Sequence, residues 1–191
     1  MILGFPGRTY RHKTSHFLRM QQDMQLPATS KRFDWMILTM ERAGEGDRSV
    51  QIQFADEIKS YANATKNYKG KIQGLRRLKL VDKKVAEEKE LQAFIDANPA
   101  RKKKYGNAIS EIGKLYQDYS SVMMQEFAYA MMGRNKLIAA AMAVLSMADM
   151  KDKSPEVMER AKNGLAARFD DMHIGVETEF LARSIMEVAD L

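Results

Sequence analysis

The sequence predicts an all-α protein, a multi-helix bundle organised around one long central helix, and three observations predict it. The stretch 49–98 contains no proline, and its apolar or part-apolar residues recur at Phe54, Ile58, Tyr61, Thr65, Tyr68, Ile72, Leu75, Leu78, Val81 and Val85. That three-and-four spacing marks one face of a helix, or of two stacked helical pieces. Helix start and stop signals recur along the rest of the chain, and beyond the first residues no segment alternates convincingly as a strand.

The elements follow in order. Met1-Ile2-Leu3 is a short apolar run ended by Phe5-Pro6-Gly7, which reads as a strand stub over 1–10 entering a type II turn, with no partner strand in sight. Thr14 or Ser15 caps a helix through about Gln25, which Pro27 should stop. Ser30 caps the next, from Lys31 to about Arg42, with Phe33, Met36, Ile37 and Met40 as its stripe, Trp35 near the edge and Ala43-Gly44-Glu45-Gly46 as its end. Asp47 caps the long helix, and Asn98-Pro99 closes it while opening another, since the residue before proline leaves helical geometry.

From Ala100 to about Met150 the pattern is again helical, with Gly133-Arg134-Asn135 as the preferred bend. Its second half, including Val122, Met123, Phe127, Met142 and Leu145, reads as core. Ser154-Pro155-Glu156 opens a helix to about Phe169, Asp170-Asp171-Met172-His173 breaks it, and a last helix starts near Gly175.

The chain has 191 residues, enough for one domain with a real core. It has no cysteine, which removes disulfides and thiolate zinc sites without fixing the compartment. Net charge is +6, but thirteen basic residues against five acids between Lys66 and Lys104 give +8 there, so the remainder sums to −2. A solvated helix face accounts for this excess; the alternative is a stand-alone basic module binding nucleic acid or an acidic partner, although no aromatics interleave the clusters.

Chemistry is sparse. No serine stands in a glycine-flanked elbow. His12 and His16 have the spacing of two zinc ligands on a helix but lack a third, and helix capping explains Asp170-Asp171 better than a cation site does. No phosphate-cradling or dinucleotide motif is present, so neither a metal nor a cofactor is expected. Fifteen methionines read as flexible core filling more readily than as an adaptable binding surface.

One pattern calls for a reason. Asn63, Asn67, Gly70 and Gly74 form a second stripe on the long helix, although each glycine costs a helix about 1 kcal/mol relative to alanine. Glycine admits close approach of a ligand or another backbone, and asparagine brings a donor and an acceptor to it. A close helix crossing satisfied by the asparagines gives the same pattern.

Gly4-Phe5-Pro6-Gly7-Arg8-Thr9-Tyr10-Arg11, then Asn63-Ala64-Thr65-Lys66-Asn67-Tyr68-Lys69-Gly70-Lys71 and Gly74-Leu75-Arg76-Arg77-Leu78-Lys79, closely resemble a family of bacterial serine exopeptidases, the dipeptidyl-peptidases of types seven and eleven. Phe169-Asp170-Asp171 and Val176-Glu177-Thr178-Glu179-Phe180-Leu181 are similar to the family less specifically. The resemblance implies a chymotrypsin-like double β-barrel with a His-Asp-Ser triad and a helical domain inserted between the barrel halves. Residues 1–10 would then leave the first barrel, and residues 11–191 would be an incomplete helical cap domain, inactive alone because the triad lies elsewhere.

The resemblance further implies that an asparagine of this domain, Asn63 or Asn67, binds the α-amino group of a peptide substrate, with Gly70 and Gly74 leaving room for its backbone. It implies export to the periplasm or cell envelope and a possible homodimer. The partners it implies are the peptide N-terminus and the missing barrel halves; no nucleic acid is expected, and no membrane span, since no apolar run approaches the length of a membrane-spanning helix. Side-chain preference stays open, because the residues that set it belong to the second barrel half.

Overall fold

The computed structural model describes residues 14–150, 154–170 and 172–189, and every regular element among them is helical. In order these are α1 (Ser15–Met20), a π-helical turn (Gln21–Gln25), α2 (Leu26–Ala43), α3 (Arg48–Arg77), α4 (Leu80–Asp96) and α5 (Pro99–Tyr105), followed by α6 (Ala108–Met132), α7 (Lys136–Ala148), α8 (Pro155–Asp170) and α9 (Ile174–Ala189). The expected strand stub and turn at 1–10, and His12, lie outside the described residues.

Most boundaries follow from local chemistry. The Thr14 hydroxyl accepts from the Phe17 N–H at 3.2 Å, and the Asp47 carboxylate accepts from Ser49 and Val50 at 2.9 and 3.2 Å, so both cap as expected. Asn98 takes the Ala100 and Arg101 N–H groups, with Pro99 behind it at the first helical position. Asn135 does the same for Leu137 and Ile138, which makes Gly133-Arg134-Asn135 the break between α6 and α7.

The structure corrects three expectations. Pro27 does not end a helix and Ser30 does not begin one: the helical path runs through both, and Ser30 is buried inside α2 with its hydroxyl unpaired. The π turn explains this, because the Leu26 N–H reaches back five residues to the Gln21 carbonyl and the widened turn absorbs the donor that Pro27 lacks. The long helical stretch takes the two-piece form, broken at Leu78-Lys79, where Lys79 takes a left-handed φ of 49° and Leu78 turns to solvent.

The apolar second half of 100–150 is not uniformly core either, since Val122, Met142 and Leu145 are exposed at 42%, 60% and 62%. At the α8–α9 break His173 Nδ1 accepts from the Val176 N–H at 3.3 Å, and Asp171 lies outside the described residues.

The chain divides into two compact units, each drawn from two stretches of sequence. The first comprises residues up to Ser30 with Lys66–Ser121, and the second Lys31–Thr65 with the residues from Val122 onward. In the first unit Leu18, Leu26, Leu75 and Val81 form the core, with Tyr68, Ile72 and Leu80 packed against it. Ser15 ties α1 to α4 there, donating its N–H at 2.7 Å and its hydroxyl to the Glu88 carboxylate.

In the second unit the core is Met36, Met40, Phe54, Val176 and Phe180. Arg32, only 3% exposed, pairs with Glu187 and donates to the Ser184 hydroxyl at 2.7 Å, so a buried cation joins α2 to α9. Burial pulls its pKa down while Glu187 opposes the shift. Trp35 stacks beside it, 5.5 Å from Phe180, with the Arg183 guanidinium 4.4 Å from its ring.

Candidate functional site

The candidate site is a face of α3. Helical geometry puts Asn63, Asn67, Gly70 and Gly74 on one stripe, since steps of four, three and four residues return to nearly the same direction. Asn67, Gly70 and Gly74 belong to the part of α3 in the first unit, and Asn63 lies one turn earlier on the helix, in the stretch assigned to the second.

All four are open. Asn63, Asn67 and Gly70 are exposed and Gly74 is half-exposed. An added Cβ at Gly70 or at Gly74 would meet nothing within 4 Å, so among the described residues no helix crosses closely at either glycine. The reading of the stripe as a tight helix crossing therefore fails. Neither the Asn63 nor the Asn67 amide makes a hydrogen bond to another described residue, so each keeps its acceptor and both donors for solvent or a ligand. The opposite face of the same helix is buried, at Phe54 and Thr65 in the second unit and at Leu75 in the first.

The glycines carry a neighbour that the sequence reading assigned only to a solvated basic face. Gly70, Gln73, Gly74, Arg76 and Arg77 together line an open depression of 610 Å³. Arg76 is 3.8 Å from Asp23, whereas the Arg77 guanidinium has no carboxylate partner among the described residues. Its place on the glycine face could have been found from the three-residue step Gly74 to Arg77, which is again one helical face. Chemically the surface offers amide oxygens that can accept from an ammonium group, bare backbone that admits an extended chain, and one free guanidinium that can donate to carboxylate or carbonyl oxygens.

Nothing on this face is a nucleophile, and among the described residues no serine hydroxyl is hydrogen-bonded to a histidine. Ser15, beside His16, gives its hydroxyl to Glu88, and the His16 ring lies against Gly113, where an added Cβ would come within 2.9 Å of it. No helix among the described residues is long and apolar enough to cross a membrane.

A second cluster, in the second unit, was not visible from spacing. Glu177 is buried on α9 and its carboxylate accepts the Lys136 N–H at 2.9 Å, while Asn135 donates to the Glu177 carbonyl at 2.8 Å. Burial pushes the Glu177 carboxyl above the ordinary carboxylate range against the pull of that N–H. Tyr61 is pushed up to about 12, chiefly by burial and then by Glu57, to which its hydroxyl donates at 3.4 Å.

Fold and face together are an all-helical arrangement with an open, polar, glycine-bearing helix face and no assembled nucleophile among the described residues. The model of the Peptidase S46 family matches residues 1–191, and the chain belongs to that family. It is 26% identical over 153 residues to the Asp/Glu-specific dipeptidyl-peptidase of Shewanella putrefaciens, covering 80% of this chain and 20% of that protein. To the dipeptidyl-peptidase 7 of Capnocytophaga gingivalis it is 32% identical over 117 residues, covering 61% of this chain and 16% of the relative. To that of Porphyromonas endodontalis it is 33% identical over 101 residues, covering 51% and 12%. The chain thus spans a fifth or less of the length of these curated relatives.

Proposed function

We propose that this chain is the helical domain of a serine-type dipeptidyl-peptidase, exported to the periplasm or cell envelope, and that it binds the substrate's α-amino group and covers the cleft. The triad belongs to β-barrel parts of the same polypeptide outside these residues, so the domain positions a peptide and does not cut it. An enzyme that releases dipeptides must measure the distance from the amino end to the scissile bond, and a fixed acceptor for the terminal ammonium does so. Asn63 or Asn67 supplies that acceptor through its amide oxygen, and Gly70 and Gly74 leave the first residues of the peptide free to lie against the helix.

The observation that carries this reading is the pairing of a family match over the whole chain with two unpartnered amides on an open glycine-bearing face. Its test is kinetic and uses the full-length protein with a chromogenic dipeptidyl substrate. A hydrogen bond to a charged group contributes about 1.5–3 kcal/mol, so Asn63→Ala or Asn67→Ala is expected to lower kcat/KM by roughly 10- to 100-fold. The affected variant should also lose most of the discrimination against the same substrate with an acetylated amine. Wild-type kinetics for both variants would remove the assignment.

A further inference from the structure

The first unit carries a groove of 1010 Å³ that the proposed amine site does not use. Three helical walls line it, with residues one or two turns apart on each: Met20 and Met24 from α1 and the π turn, Val85 and Gln92 from α4, and Ile109 and Tyr116 from α6. Met20 is buried, and Val85, Ile109 and Tyr116 are half-buried, so the floor is apolar and already partly withdrawn from water. The rim is charged. Arg19, Lys89 and Lys114 all line the groove, all are exposed, and none has a carboxylate partner among the described residues. The two acids present are engaged, Glu88 with Ser15 and Asp23 beside Arg76.

We propose that this groove seats a further helix of the same polypeptide, about three turns long, apolar on its buried side and flanked by acidic residues. The α6 wall runs from Ile109 to Ser120, which at 1.5 Å per residue is about 17 Å, the length of such a helix. Residues spaced three and four apart on all three walls form the ridges into which a fourth helix packs. Three unpaired cations around an apolar floor select acidic flanks over basic ones. An occupant within the polypeptide is at hand, because relatives of this chain extend far beyond the 20% or less that it covers. The proposal rests on the reading of the chain as part of a longer peptidase, and it is independent of the amine site.

The chain has no cysteine, so one placed at Gln117 reports on the groove alone. In a full-length background with any other cysteines replaced by serine, Gln117→Cys is expected to react with a maleimide at least 100-fold more slowly when native than when denatured. Lys89→Glu with Lys114→Glu should restore fast labelling, and the milder pair Lys89→Gln with Lys114→Gln should restore it in part. A benzophenone attached at the same cysteine should cross-link within the polypeptide to a helical segment bearing acidic residues. Labelling at near the denatured rate, or cross-links only to other molecules or to a segment without acids, would overturn the proposal. Turnover is not the readout, so loss of the peptidase reading and loss of this one remain distinguishable.

Discussion

Gly70 and Gly74 work against the helix that carries them. A glycine in a helix interior is destabilising by about 1 kcal/mol relative to alanine, and at both positions a methyl group would project into open space. Gly70→Ala and Gly74→Ala should therefore each raise the stability of the protein by about 1 kcal/mol, measured by chemical denaturation. If a peptide lies on this face, the same methyl groups must also raise KM for dipeptidyl substrates while leaving kcat for bound substrate nearly unchanged. Gains in stability with unaltered KM would mean that the glycines face no ligand. The stripe itself was legible in the sequence because helical periodicity is a property of spacing alone. That its amides have no partner among the described residues was not, since that depends on which other helices stay away.

At the scale of the element, the structure and the sequence disagree most sharply at Ser30. Read locally, Ser30 follows a proline and precedes a polar turn, so as an N-cap it would lose about 1 kcal/mol on replacement by alanine. In the structure it is buried within α2, 4% exposed, with an unpaired hydroxyl. Ser30→Ala then removes an unsatisfied group and improves helix propensity, so it should stabilise by about 1 kcal/mol. Thermal or urea unfolding of this variant separates the two by sign. The caps at Thr14 and Asp47 were readable because a cap is a contact across two or three residues, whereas Asn98 and Asn135 were read as a helix end and a bend and in the structure also cap the helices that follow. The π turn at Gln21–Gln25 was not readable, because a single wide turn, with the Leu26 N–H on the Gln21 carbonyl, leaves no distinctive residue pattern in the sequence. The exposure of Met142 and Leu145 was hidden for a related reason: an apolar stripe says that a face is to be covered, but not by which part of the polypeptide.

At the scale of the whole molecule, stability should depend on pH through two groups of the second unit. Glu177 has a folded pKa above its unfolded one, so the folded state binds the proton more tightly. Its contribution is fully present below the unfolded carboxylate value near 4.5 and is lost as pH rises through the higher folded value. Tyr61 has the same sign at the other end of the scale. Its hydroxyl stays protonated in the fold to about 12 while the unfolded side chain ionises near 10, so stability falls between these values. Glu177→Gln keeps an oxygen for the Lys136 N–H and removes the titration, and it should flatten the weakly acidic part of a plot of Tm against pH. Tyr61→Phe should flatten the alkaline limb and leave the acidic one unchanged. Arg32 supplies a comparison variant, because its ion pair with Glu187 joins α2 to α9. Arg32→Ala leaves the Glu187 carboxylate without its buried partner, so Tm should fall at every pH, by an amount corresponding to about 3 kcal/mol. The slopes set by Glu177 and Tyr61 should persist in that variant, which makes the pH dependence a property of those two side chains rather than of a weakened fold.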